Sequence, residues 1–153
     1  ANPNAMIYIA SGKSIKNNQN VVSGTTCNKL VLTDGYDFMT SKAFTAQNAQ
    51  YSRSVPSSYG TIVLPFAPTN TNAKFYELTN SSDDCLQFEE VSTPVAGVPY
   101  LFTATSGVFS AQNVSVSLQD PVSKSSNDWT MTGTYANKVF TATDDVFEVS
   151  GGE

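Results

Sequence analysis

Apolar side chains in this chain recur every second residue far more clearly than every third or fourth. Trp129, Met131, Gly133 and Tyr135 alternate with Thr130, Thr132 and Thr134, and Val114, Val116 and Leu118 alternate with Ser115, Ser117 and Gln119. That rhythm belongs to a half-buried β-strand, whose successive side chains point to opposite faces. Short unbroken apolar runs, Leu30-Val31-Leu32, Ile62-Val63-Leu64 and Tyr100-Leu101-Phe102, read as central strands buried on both faces. Phe75-Tyr76-Glu77-Leu78 and Leu86 to Val91 flank the turn-rich cluster Asn80-Ser81-Ser82-Asp83-Asp84, which is a hairpin pattern with a longer loop. Only the stretch Ser41 to Gln50 offers a helix start, with Ser41 as cap, and its Phe44, Ala46 and Ala49 fit neither period. The expected fold is therefore all-β: an antiparallel β-sandwich, jelly-roll or immunoglobulin-like, with about ten short strands and little or no helix.

A chain of 153 residues suits one domain. Residues 1–40 read as an N-terminal β-layer or linking segment of that domain, because forty residues alone would hold a poor core. The opening Ala1-Asn2-Pro3-Asn4 lacks an initiator Met, and the close at Ser150-Gly151-Gly152-Glu153 is turn-like, so the chain reads as a piece of a longer protein.

Composition narrows the function. Charged residues make up 14% and the net charge is −5, so the exterior is rich in neutral Ser, Thr and Asn, the habit of exported β-rich modules. Eight scattered basic residues give no footprint for nucleic acid. No apolar run is long enough to span a membrane as a helix. Histidine is absent, which removes Ser-His-Asp and Cys-His catalysis, His-based zinc sites and any His general base. Carboxylate, Tyr and Lys chemistry remain.

The acidic pairs Asp83-Asp84, Glu89-Glu90 and Asp144-Asp145 are the candidates for hydrolase carboxylates. Neighbours along a strand face opposite ways, so Glu89 and Glu90 do not form such a pair with each other, and the aspartates suit turns. Asp34-Gly35-Tyr36-Asp37 and Thr143-Asp144-Asp145 carry oxygen ligands without the calcium-loop spacing. No metal or cofactor is expected. Sugar binding is the sharpest idea: Asn127-Asp128-Trp129 sets an indole platform beside two polar groups. Against it, Trp129 alternates with threonines, which is the position of a core residue. Cys27 and Cys85 either pair, closing a long loop, or sit apart as small hydrophobes; the sequence leaves both open.

An ordered set of motifs carries a resemblance. Phe44-Thr45-Ala46, Tyr51-Ser52-Arg53, Tyr59-Gly60-Thr61-Ile62-Val63-Leu64-Pro65-Phe66, Phe75-Tyr76-Glu77-Leu78, Gly97-Val98-Pro99-Tyr100-Leu101 and Gly133-Thr134-Tyr135 follow one another. In that order they resemble a β-sandwich module of secreted and surface proteins of Bacteroidales, often C-terminal to leucine-rich-repeat or protease regions. Asn2-Pro3-Asn4-Ala5 looks like the entry from an upstream repeat region, and Tyr59 stands where the family often shows Trp. The resemblance implies export to the cell surface or medium and an adhesive or supporting role. It transfers no catalytic residues. The expectation is a non-catalytic extracellular module, with carbohydrate binding through exposed aromatics as the alternative. Its partners would be a glycan, a host or cell-surface protein, or other domains of the parent chain.

Overall fold

The computed structural model describes residues 1–16, 18–55, 58–69, 72–82, 85–141, 143–144 and 146. Those residues are all-β. In chain order the strands are β1 (Ile7–Ile9), β2 (Val21–Ser23), β3 (Thr26–Thr33), β4 (Phe44–Ser52), β5 (Gly60–Ile62), β6 (Ala73–Ser82), β7 (Cys85–Val91), β8 (Tyr100–Ala104), β9 (Val108–Val116), β10 (Ser123–Ser126) and β11 (Trp129–Thr132). They form a five-stranded sheet in the order β1-β2-β3-β4-β9, a four-stranded sheet in the order β5-β8-β6-β7, and the separate hairpin β10-β11.

The two larger sheets meet through aromatic rings. Phe109 on β9 is fully buried, and its ring lies 5.6 Å from that of Phe102 on β8 and 6.0 Å from that of Phe75 on β6. Tyr51 on β4 leans on Phe109 at 6.1 Å. Edge-to-face and tilted contacts of this kind favour aromatic pairs beyond the area they bury. A second cluster lies against the first sheet: Leu30, Leu32, Phe44, Phe66 and Val116 pack with Phe38 and, at its margin, Tyr135. Residues 1–40 supply β1 to β3 to this same sheet and share its core.

Several details differ from the sequence reading. Two pairings, β1 with β2 and β3 with β4, run parallel, so the first sheet is mixed. Ser41 to Gln50 forms no helix, in keeping with the all-β expectation, and Phe44 to Gln50 belongs to β4. The hairpin β6-β7 pairs out to Ser82 and Cys85, further than expected, with a register irregularity between Leu78 and Asn80. Strand β5 is an edge strand, and Val31, Val63 and Leu101 at the centres of the three apolar runs are half-buried, so those strands keep one wetter face.

Ser41 to Gln50 defied both periods for a physical reason. Along β4, Phe44 and Ala46 point inward, Gln47 and Asn48 are both exposed, and Ala49 is buried again. β3 skips in the same place, with Asn28 and Lys29 exposed between Cys27 and Leu30, and so does β9, with Gln112 and Asn113 exposed between Ala111 and Val114. Register holds through the skip, and Asn113 takes it up with a left-handed φ of 53°. Asparagine tolerates that conformation better than most residues.

Candidate functional site

The hairpin that carries Asn127, Asp128 and Trp129 is fastened to β6. Asn127 and Asp128 form the two-residue turn between Ser126 and Trp129, and Asn127 adopts a left-handed φ of 48°. Its side-chain amide donates to the carbonyl of Ser81 on β6, and the Ser81 hydroxyl donates to the carbonyl of Ser126. Lys124 on β10 pairs with Glu77 on β6 at 2.5 Å. Trp129 and Met131 are half-buried, while Thr130 and Thr132 face solvent and pair with the Ser125 and Ser123 hydroxyls. The alternation is as the sequence spelled it. Asn127 has a binding partner inside the domain, and Trp129 offers only part of its ring.

The cysteines stay separate thiols: Cys27 is buried on β3 and Cys85 is exposed on the edge strand β7. The pairing that the sequence left open is not made, because the two sit in different sheets and different environments. Burial pushes the Cys27 thiol up, which disfavours the reactive thiolate.

The carboxylates are dispersed. Glu90 pairs with Lys74 at 3.0 Å across β6 and β7. Asp144 closes a local turn, accepting from the Thr141 amide at 2.6 Å, which holds its carboxyl below the usual range. Asp83-Asp84, Asp145 and the closing residues 147–153 lie outside the described residues. Among the described residues no three metal-ligating side chains gather.

What the sequence missed is the polar cluster at the end of β3 and β4. Asp34 follows β3, and Tyr51 and Arg53 belong to β4 and its exit. The Tyr51 hydroxyl donates to Asp34 Oδ1, while Arg53 Nε stands 3.9 Å from Asp34 Oδ2. Arg53 also donates to the Thr61 carbonyl at 2.6 Å and lies over the Phe102 ring at 5.0 Å. Arg53 is thus both ion-paired and stacked. Gly107 is needed here, since a Cβ on it would sit 1.8 Å from the Arg53 carbonyl oxygen. Asp34 and Tyr51 line a cleft of about 230 Å³ that also carries Tyr36 and Phe140, exposed by 51% and 57%. Tyr135 closes its floor, donating to the Leu64 carbonyl at 3.2 Å, and Asn137 is tied to Asp37 at 2.7 Å.

Burial, followed by the Asp34 contact, raises the Tyr51 phenol far above its ordinary value; burial, followed by Asp120, does the same for Tyr135. Both therefore stay protonated in the folded chain when the unfolded chain's tyrosines ionise near pH ~10. The folded state then holds more protons, so stability present below that pH is lost as pH rises past it. Urea unfolding as a function of pH should show a plateau to about pH 9 and a steep fall beyond. Tyr135→Phe should flatten that fall; an unchanged slope would contradict the burial of this phenol.

A second missed feature lies at the N-terminal end. Asn4 and Asn20 are each 2% exposed. Asn20 accepts from the Val31 amide at 2.7 Å and donates to the carbonyls of Val31 and Pro3 at 2.9 and 3.0 Å. Asn4 accepts from the Thr33 amide at 2.8 Å and donates to the carbonyls of Thr33 and Tyr36 at 2.9 and 2.8 Å. Beyond its short pairing with β2, the outer edge of β3 is closed at Lys29 by the Asn20 main chain and then, at Val31 and Thr33, by two side-chain amides in place of a strand. The signal available in sequence was an Asn before each strand-forming run, at Asn20 with a left-handed φ of 55°.

Comparison with protein-family models, with curated proteins and with solved structures finds no significant match to this chain.

Proposed function

We propose that this domain is a non-catalytic module of an exported bacterial surface or secreted protein, with an adhesive or structural role. The observation that carries the reading is how its polar side chains are used. Asn4 and Asn20 close a strand edge, Asp34 joins Tyr51 to Arg53, and Asn127 pins a hairpin to β6. Groups placed this way fasten loops and edges and leave few polar atoms converging on a substrate. The neutral Ser/Thr/Asn-rich exterior supports the same reading, as does the resemblance of the ordered motifs to a Bacteroidales surface module. The partner would be a glycan or a host or cell-surface protein.

Carbohydrate binding by exposed aromatics is the second reading, favoured by Tyr36 and Phe140 in the cleft more than by Trp129.

The test is to coat beads with the purified domain and measure their retention on mucin-coated and cell-coated surfaces, alongside turnover of chromogenic glycosides and peptides. Retention above a bovine albumin control without turnover is the expected result. Saturable turnover that disappears in Asp34→Asn or Glu89→Gln would refute the non-catalytic reading.

A further inference from the structure

The outer face of β3, β4 and β9 presents a field of polar side chains, the carboxamides of Asn48, Gln50 and Gln112 among them. Register places Lys29, Asn48 and Gln112 in one exposed row, and Val31, Gln50 and Ser110 in the next on the same side. Before them, across the shared skip in alternation, come Asn28, Gln47 and Asn113, all exposed. A groove of about 420 Å³ lies over the first two of these rows. The chain at Thr69 forms its side wall, held by the Thr69 amide donating to the Ser110 carbonyl at 2.9 Å.

We infer that this groove binds an uncharged, hydroxyl-rich polymer, a neutral polysaccharide, through the carboxamides of Asn48, Gln50 and Gln112. The inference rests on the adhesive reading and names its ligand class and its face.

Charge and polarity select the ligand. Lys29 is the only ionic side chain among the three rows, so neither a polyanion nor a polycation finds a complement there. The rows lack the Trp, Tyr and Arg anchors that dominate protein–protein hot spots, which disfavours a protein partner. Carboxamides both donate and accept, as sugar hydroxyls do, so neighbouring amides can bridge adjacent hydroxyls of one residue. Part of this capacity is held in place by the sheet: Asn48 donates to the Asn28 carbonyl at 3.2 Å and Gln50 to the Ser52 hydroxyl at 3.2 Å, which orients both carboxamides. The Gln112 side chain has no partner among the described residues. Neighbouring strands repeat at about 4.8 Å, so the rows offer a regular ladder to a regular polymer.

Native gels containing hydroxyethylcellulose, yeast mannan or galactan, with heparin as the charged control, test the assignment. The expected result is retardation of the wild-type domain by at least one neutral polymer and not by heparin, and at least a tenfold weaker retardation of Asn48→Ala/Gln112→Ala. Both positions are exposed, so the variant should keep the wild-type melting temperature. Tyr36→Ala/Phe140→Ala, at the separate cleft, should migrate as wild type. Retardation by heparin alone, by no neutral polymer, or undiminished in the amide variant overturns the inference, as does its loss in the cleft variant. Bead retention separates the two claims: an amide variant that still adheres fully removes this face while the adhesive reading stands.

Discussion

Replacing Asn20 by alanine should lower the stability of the domain by about 3–5 kcal/mol, because three part-buried backbone groups lose their partner at once and each costs about 1–3 kcal/mol when left unsatisfied. The Val31 amide and the carbonyls of Val31 and Pro3 all depend on this one side chain. Alanine also inherits a φ of 55°, which costs an L-residue roughly 1–2 kcal/mol. Asn20→Gly removes the amide without that strain, so the difference between the two variants isolates the backbone contribution. Urea denaturation of all three proteins measures it. If Asn20→Gly were as stable as wild type, the side-chain closure of the β3 edge would be of no consequence. Asn4 serves the next position along the same edge, so the two substitutions should not add independently.

Phe109→Ala should cost a similar amount, about 3–5 kcal/mol, through the cavity it leaves. Its ring is fully buried and bridges the sheets, meeting Tyr51 on its own side and Phe75 and Phe102 on the other. Domains of this size are stable by only about 5–15 kcal/mol, so the variant should unfold at far lower urea. Phe109→Leu, which keeps most of the volume, should be milder. Leu86→Ala on the exposed edge strand should change stability by less than about 0.5 kcal/mol. A loss below about 1 kcal/mol for Phe109→Ala would mean that the sheets do not pack through this ring.

The strand architecture was legible because alternation is a local property. Trp129 to Thr132 and Val114 to Val116 show their inward and outward faces in the order of their letters. β4 was not legible, since the skip between Ala46 and Ala49 breaks the two-residue period without restoring a helical one, and only its neighbours, skipping in the same row, make the pattern intelligible. Parallel pairing of β3 with β4 is a tertiary choice that no local pattern encodes. The proposed site was hidden for a related reason. Asn48, Gln50 and Gln112 look like ordinary surface residues until pairing brings two strands together. Asn127-Asp128-Trp129 drew attention because the three are adjacent in sequence, yet adjacency there reflects a hairpin turn. The Asp34, Tyr51 and Arg53 cluster joins residues from either side of a crossover, beyond the reach of spacing rules.

The functional reading depends on polar side chains that fasten the chain, and the β3 edge is where that idea is most exposed to test. Amide hydrogen exchange at Val31 and Thr33, residue by residue, measures it most directly. The account predicts that both amides exchange as slowly as those in the middle of β4, and that in Asn20→Ala the Val31 amide loses more protection than any other on the strand. Rapid exchange of these two amides in the wild-type domain, at the rate of an open sheet edge, would contradict it.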